Sequence, residues 1–306
     1  MLFIISLISF VAINLAPNSF FASGELNPNI TPEAIEELKA IYGLDKPLYI
    51  QFFSWIYSIL QLDFGIYFAS GEKVNEEILS RIPITLTINI VSIILIFIIS
   101  LYFGIKSAMK KNSIFDRFTN QLSLLSFSMP SFYLALVLVL VFSIKFELFP
   151  IAGLHSVPND GSLNYYLDFA WHLTLPIFII VFGGIGSLIL YIRALTIEIL
   201  KSDYIFFARA RGLDNKKILR YYILPNLYPP VITLLGLSLP GIIGGSVILE
   251  TIFSIDGMGL LFYQSALSHD YPVIMGILII GAFLTLIGNM FADLILLKLN
   301  PNYNEK

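Results

Sequence analysis

Residues 202–230 read SDYIFFARARGLDNKKILRYYILPNLYPP, a basic and polar interruption in an otherwise apolar chain. The stretch predicts two short helices around a glycine turn. Ser202 or Asp203 can cap the first, and Gly212 suits the left-handed residue that closes it. Asp214 can cap the second, which Pro225 is expected to end. Arg209, Arg211, Lys216, Lys217 and Arg220, with Lys201 just upstream, make the segment positive. A membrane protein keeps such a loop in the cytoplasm. Tyr204, Phe207, Ala208 and Arg211 fall at three- and four-residue spacings and are expected to share a face. Aromatic and arginine side chains are the types enriched at interface hot spots. A short helix held by a glycine turn against a second helix makes a lever. An ordinary basic surface helix beside anionic lipid is the competing reading.

Outward from this loop the chain is oily. Hydrophobic residues make up 57% and charged residues 13%, with a mean hydropathy of +0.83, where a soluble domain carries about 25% charged residues. Six charge-free windows exceed 20 residues: 1–24, 82–105, 118–144, 169–192, 221–249 and 271–292. Each is long enough to cross about 30 Å of hydrocarbon as a helix. Runs such as Ile93–Ile99 do not alternate, which argues against a transmembrane barrel. The expected fold is therefore all-α: one polytopic membrane domain over 1–306 with six transmembrane helices and a folded external loop, 17–81, after the first.

Charge sets the expected orientation. With the start inside, segments 106–117, 193–229 and the tail from 298 hold 13 of the 18 Lys and Arg. The outer loops hold Lys39, Lys46, Lys73, Arg81 and Lys145, and the segment 17–81 carries nine acidic residues. Both termini are accordingly expected in the cytoplasm. The first window opens abruptly apolar, without the basic residues of a signal peptide. It is expected to be internal to a longer natural chain. Outside, ITPEAIEELKAIYG predicts an amphipathic helix, and PLYIQFFSWIYSIL a second run apolar enough to lie along the membrane surface.

Several chemistries are not supported. The chain has no phosphate-binding Gly-x-x-x-x-Gly-Lys-Ser/Thr loop, no Cys and only three His. His155, His172 and His269 are expected near the outer ends of spans, as hydrogen-bonding groups rather than metal ligands. Spacing singles out no Ser–His–Asp nucleophile. No residue is assigned to catalysis, a cofactor or a metal, and no nucleic-acid partner is expected. Polar residues inside spans are candidates by default, among them Asn89, Thr233, Ser238, Asn289 and Asp293; Asp293 is expected to pair structurally with Lys298 or a loop arginine. The fifth window holds Pro240, Gly241, Gly244 and Gly245, which permit bending and close approach and suit a pore-lining helix. Glu250, at its outer end, could brace a gate.

Ordered motifs then carry a resemblance. They run Gly43-Leu44-Asp45-Lys46-Pro47, Asp63-Phe64-Gly65, Arg81-Ile82-Pro83-Ile84-Thr85-Leu86 and Ser128-Met129-Pro130-Ser131-Phe132. His172-Leu173-Thr174-Leu175-Pro176, Ala208-Arg209-Ala210-Arg211-Gly212-Leu213, Glu250-Thr251-Ile252-Phe253-Ser254, Gly257-Met258-Gly259 and Asp270-Tyr271-Pro272-Val273 follow. In this order the chain resembles permease subunits of binding-protein-dependent ABC importers, in the branch for dipeptides, oligopeptides or nickel. The signature of such permeases, Glu-Ala-Ala, three residues, Gly, nine residues, Ile-x-Leu-Pro, falls on Phe206-Phe207-Ala208, Gly212 and Tyr222-Ile223-Leu224-Pro225, so its acidic residue is missing. The resemblance implies an ABC importer permease (MetI-like) fold in the cell inner membrane. Its loop at 193–229 would seat on an ATPase, with Tyr204, Phe207, Ala208, Arg209, Arg211, Gly212, Leu213, Leu224 and Pro225 as the coupling residues. It implies a second homologous permease, two cytoplasmic ATPase subunits and an external solute-binding protein, with lipid around the spans. Peptide cargo is expected; nickel or a nickel chelate, a proton-coupled secondary transporter and a membrane-embedded enzyme stay open as alternatives.

Overall fold

The computed structural model describes residues 2–14, 46–67, 69–238 and 246–299. Their regular structure is helical, apart from one isolated bridge between Ile66 and Lys73. In chain order the helices are α1 (Leu2–Asn14), α2 (Leu48–Leu60), α3 (Val74–Met109), α4 (Ile114–Ser128) and α5 (Ser131–Leu138), which continues as a π-helical turn over Val139–Lys145. Then come α6 (Leu163–Leu200), α7 (Asp203–Ala210), α8 (Asn215–Ile218) with a π-helical turn at Leu219–Ile223, and α9 (Leu224–Ser238). α10 (Val247–Ile252), α11 (Met258–Ser268) and α12 (Tyr271–Leu299) complete the order.

Among the described residues, three helices are individually long and apolar enough to cross a membrane: α3, α6 and, over Tyr271–Phe291, α12. The window 118–144 was expected as one span, and here the structure differs. It breaks at Met129-Pro130, where the helical halves Ile114–Ser128 and Ser131–Lys145 meet at 99°. A residue before proline is driven out of the helical region, and Met129 accordingly sits at ψ 119°. Each half has 15 residues, about 22 Å of helix, so neither spans the hydrocarbon alone. The first and fifth windows run into 15–45 and 239–245, outside the described residues, as do the amphipathic run before Pro47, Pro240, Gly241, Gly244 and Gly245. The apolar run after Pro47 is the helix α2.

The chain gathers into two compact units. The first comprises Met1–Leu86, Ile243–Thr251 and Asp256–Leu286. Its core packs Phe64, Tyr67, Val74 and Ile78 with Met258, Leu261, Val273 and Ile279. Two motifs of the sequence are turn chemistry in this unit. Asp63 takes the N–H of Gly65 at 3.0 Å, and Gly65 holds φ +89°, which turns Phe64 into the core. Asp270 takes the N–H of Val273 at 3.4 Å, capping α12 with Pro272 in the first turn, where its missing N–H costs nothing.

The second unit comprises Thr87–Ile242, Ile252–Ile255 and Ile287–Lys306. Here α4 packs along α6 through a seam of small and polar side chains, Asp116, Thr119, Ser123 and Ser126, all buried. A Cβ on Gly186 of α6 would lie 2.5 Å from the Ser123 carbonyl, so only glycine permits this approach. Small residues at helix contacts are how membrane helices bring backbones together.

Candidate functional site

The elbow that begins at Ser202 is built from an apolar root and an exposed tip. Ser202 holds the N-cap position of α7 without capping it; its hydroxyl instead donates to the Ile199 carbonyl at 2.6 Å. At the far end the N–H of Leu213 reaches the Ala208 carbonyl at 3.2 Å and that of Gly212 the Arg209 carbonyl at 2.9 Å. With Gly212 at φ +79°, this pair of bonds is a Schellman closure, as the glycine turn predicted. Asp214 caps α8, accepting from the Lys217 N–H at 2.8 Å.

Pro225 was expected to stop the second helix, and it does not. α8, the π-helical turn and α9 run on through it. Proline in a helix clashes with the carbonyl four residues earlier, here Tyr221, which lies inside the wider turn of Leu219–Ile223. The extra residue per turn makes room for the ring. Beside the proline the Asn226 side-chain amide donates to the Tyr222 carbonyl at 2.6 Å.

Ile205, Ala208, Ile218, Ile223 and Leu227 are buried, and the isoleucines and Leu227 share a core with Phe97 and Ile105 of α3 and Leu188 and Ile192 of α6. Leu213 and Leu224 pack against that core. Full burial of one such side chain is worth about 1.5–3 kcal/mol, so the root is firmly seated. Ala208, 2% exposed, therefore does not share the outward face expected of it: it lies on the buried side of α7 with Ile205. Outward stand Phe206 at 69% and Phe207 at 61% exposure, with Tyr204 at 41%. Arg209, Arg211, Gly212 and Pro225 are exposed as well. Tyr204 lies parallel to Tyr222, with ring centroids 6.3 Å apart.

The second constellation centres on Glu250, one residue beyond the fifth charge-free window. Its Oε2 accepts the N–H groups of Gly259 at 2.7 Å and Leu260 at 3.0 Å, at the start of α11. Its Oε1 accepts the Thr85 hydroxyl at 3.3 Å, and Thr85 Oγ1 in turn takes the Met258 N–H at 2.9 Å. Three of the four N–H groups that a helix start leaves without partners are thus satisfied, and the carboxylate sits at the positive end of the helix dipole. Burial pushes the Glu250 carboxyl up, against the pull of these donors. The glycines are dictated by this clasp. A Cβ on Gly257 would stand 2.6 Å from Glu250 Oε2, and one on Gly259 2.9 Å from the Val247 backbone.

Two groupings were not foreseen. The Arg193 guanidinium forks onto Asp116, with Nε 2.7 Å from Oδ1 and Nη2 2.9 Å from Oδ2. Sequence reasoning counted Arg193 only as a positive charge. The signal was a lone acid, Asp116, in the basic segment 106–117, at heptad-like spacing with Thr119, Ser123 and Ser126. Elsewhere, Asp168 accepts the Ser156 N–H at 2.7 Å, and His172 Nε2 lies 3.2 Å from Ser156 Oγ. The other ring nitrogen of His172 faces the Asp168 backbone carbonyl at 2.8 Å, and His155 stacks on Tyr165 at 3.9 Å. These contacts tie the loop before α6 to its first turns. Among the described residues no group of three or more His, Asp or Glu could hold a metal ion. Asp293 is exposed, and the Lys298 side chain lies outside the described set.

Residues 100–305 match the model of the binding-protein-dependent transport system inner membrane components, and residues 1–89 match that family's N-terminal model; the chain belongs to this family. It is 35% identical to the oligopeptide transport system permease protein AppB of Bacillus subtilis, over 97% of this chain and 93% of AppB. It is 31% identical to the metal-staphylopine import system permease protein CntB of Staphylococcus aureus, over 91% of this chain and 85% of CntB. A chain of the MetNI methionine ABC transporter, solved in inward-facing conformations, matches with a TM-score of 0.58 at 17% identity, over 73% of this chain and 96% of that one. That likeness supports the MetI-like fold. Family membership makes the chain a multi-pass inner-membrane translocation component that works with a solute-binding protein and an ATPase.

Proposed function

We propose that this chain is the permease subunit of an ATP-driven importer that carries di- and oligopeptides across the inner membrane by alternating access. It makes and breaks no bonds itself; hydrolysis belongs to partner subunits. The observation that carries the cargo class is the near full-length correspondence with AppB. In this reading the exposed face of α7, with Tyr204, Phe206, Phe207, Arg209 and Arg211, seats in an ATPase subunit, and Gly212 with the buried root holds it rigid. Two ATPases dock on the 203–225 elbows of this chain and of a second, homologous permease. Pro240, Gly241, Gly244 and Gly245 line the path, and the Glu250 clasp braces its outer end. Both termini lie in the cytoplasm, as the charge bias favours. Each nucleotide state then has to stabilise a different packing of the spans, through contacts that differ between states.

A metal chelate is the second reading, favoured by the likeness to CntB. A chelated cation needs no protein ligand set, so the sparse histidines do not weigh against it. Affinity purification of the tagged chain from its native membrane, with mass spectrometry of what co-purifies, tests both readings. The expected outcome is an ATPase, a second permease and a binding protein loaded with peptide. A binding protein loaded with a metal chelate would replace the cargo, and transport by this chain alone without ATP would overturn the importer.

A further inference from the structure

Any displacement of α7 has to reach the spans, and the corner that joins it to α6 is stiff. Lys201 and Ser202 donate their N–H groups to the Glu198 and Ile199 carbonyls, each at 3.1 Å, and the Ser202 hydroxyl adds a bond to Ile199 at 2.6 Å. Seven residues before the end of α6, about 10 Å along the helix, lies Arg193. Its fork onto Asp116 is bidentate, the geometry that fixes orientation as well as distance. The same carboxylate receives the Ser107 hydroxyl of α3, the Asn112 N–H at 2.8 Å and the Asn120 side-chain amide at 3.0 Å. Asp116 is 3% exposed. So α3, the α3–α4 turn, α4 and α6 converge on one buried carboxylate. Nearby α3 and α6 approach closely: a Cβ on Gly104 of α3 would stand 2.8 Å from the Ile192 Cγ2 and 3.0 Å from the Ile189 carbonyl oxygen.

Apolar contacts alone let one helix roll on another, whereas a fork of charged hydrogen bonds resists rotation. We infer that the Asp116–Arg193 pair is a positioning joint, locking the α3–α4 hairpin to α6 so that movement of α7 carries all three helices together. This rests on the reading of the elbow as the ATPase docking element. Without the joint, α6 follows the ATPase while the hairpin lags, and ATP is hydrolysed with less cargo moved.

The test uses the whole transporter in proteoliposomes, with its binding protein and a radiolabelled tripeptide, comparing wild type with D116N, R193K and the reversal D116R/R193D. Tripeptide moved per ATP hydrolysed should fall about fivefold in the two single variants, a loss of the size that side-chain networks carry. Co-purification of the ATPase and basal hydrolysis should hold, and the reversal should regain part of the ratio. Spin labels at Phe118→Cys on α4 and Lys201→Cys should keep one distance between nucleotide-free and vanadate-trapped wild type, and two distances in D116N. A ratio unchanged in both single variants would overturn the joint while leaving the docking reading intact. So would loss of assembly and folding in R193K, the mildest change, since that marks an ordinary brace of the fold. A wild-type chain that recruits no ATPase would overturn both.

Discussion

The Glu250 clasp and the α7 elbow are both short helices fixed by a few polar groups, yet they end in opposite states. At the clasp every named donor finds an acceptor inside the chain: Gly259 and Leu260 on Glu250, and Met258 on Thr85. Glu250 is 4% and Thr85 1% exposed. At the elbow the caps and the root are equally well satisfied, but Phe206 and Phe207 stand 69% and 61% exposed beside exposed arginines. Aromatic rings in water are a cost that a docking partner removes, and arginine with aromatics is the composition of interface hot spots. The clasp is finished within this chain, and the elbow is not. Substitutions at the clasp should therefore read out as stability, and those at the elbow tip as association.

The largest stability effect is expected from Glu250→Ala. It leaves two helix N–H groups and the Thr85 hydroxyl buried without an acceptor, and each such group costs about 1–3 kcal/mol. The detergent-solubilised chain should lose about 3 kcal/mol or more, seen as a clear drop in thermal unfolding temperature. Glu250→Gln, which keeps an acceptor oxygen, should recover more than half of the loss. A wild-type melting curve for Glu250→Ala would break the contrast, since the clasp would then hold nothing.

Gly212→Ala should cost less. Nothing lies within 4 Å of the added Cβ, so the only penalty is that of φ +79°, about 1 kcal/mol for a residue with a side chain. Because the turn sets the angle of α7, ATPase co-purification should weaken by a few fold while the fold melts almost as before. If unfolding temperature and association fall in the same proportion as for Glu250→Ala, the two regions are not different in kind.

Much of this contrast was legible in the residues, and some was not. The capping by Asp214 and the left-handed Gly212 follow from local backbone chemistry, which a four-residue window contains. The Gly257-Met258-Gly259 motif was visible, but its reason was not: the carboxylate that forbids a Cβ there comes from another helix. Pro225 misled because a proline stop assumes an α-helical turn before it, and the wider turn at Leu219–Ile223 removes the clash. The window 118–144 misled in the other direction, since counting charges is blind to a proline bend. Ala208 was placed on the wrong side because helical spacing defines faces without saying which one packs. Arg193 was hidden for a related reason: in the charge count it served topology, and only the close packing of α4 on α6 brings it to Asp116.

Phe207→Glu sharpens the comparison most, although its effect on stability is expected to be the smallest. The ring is 61% exposed, and substitution at an exposed site away from buried networks usually stays within about 0.5 kcal/mol. Its aromatic contact is an edge-to-face one with Phe206, centroids 5.8 Å apart, and Phe206 is itself exposed, so the root of α7 loses nothing. The unfolding temperature should accordingly match wild type. Association should not, because a carboxylate would have to be buried against the ATPase in place of an aromatic ring, and an unpaired buried charge is among the costliest changes an interface can take. Pull-down of the ATPase with tagged Phe207→Glu chain should fall to background, while Phe207→Leu, which restores apolar bulk, should retain much of it. Equal recovery from all three chains would mean that the tip of α7 faces lipid or water throughout the cycle, and the elbow would then be as closed a structure as the clasp.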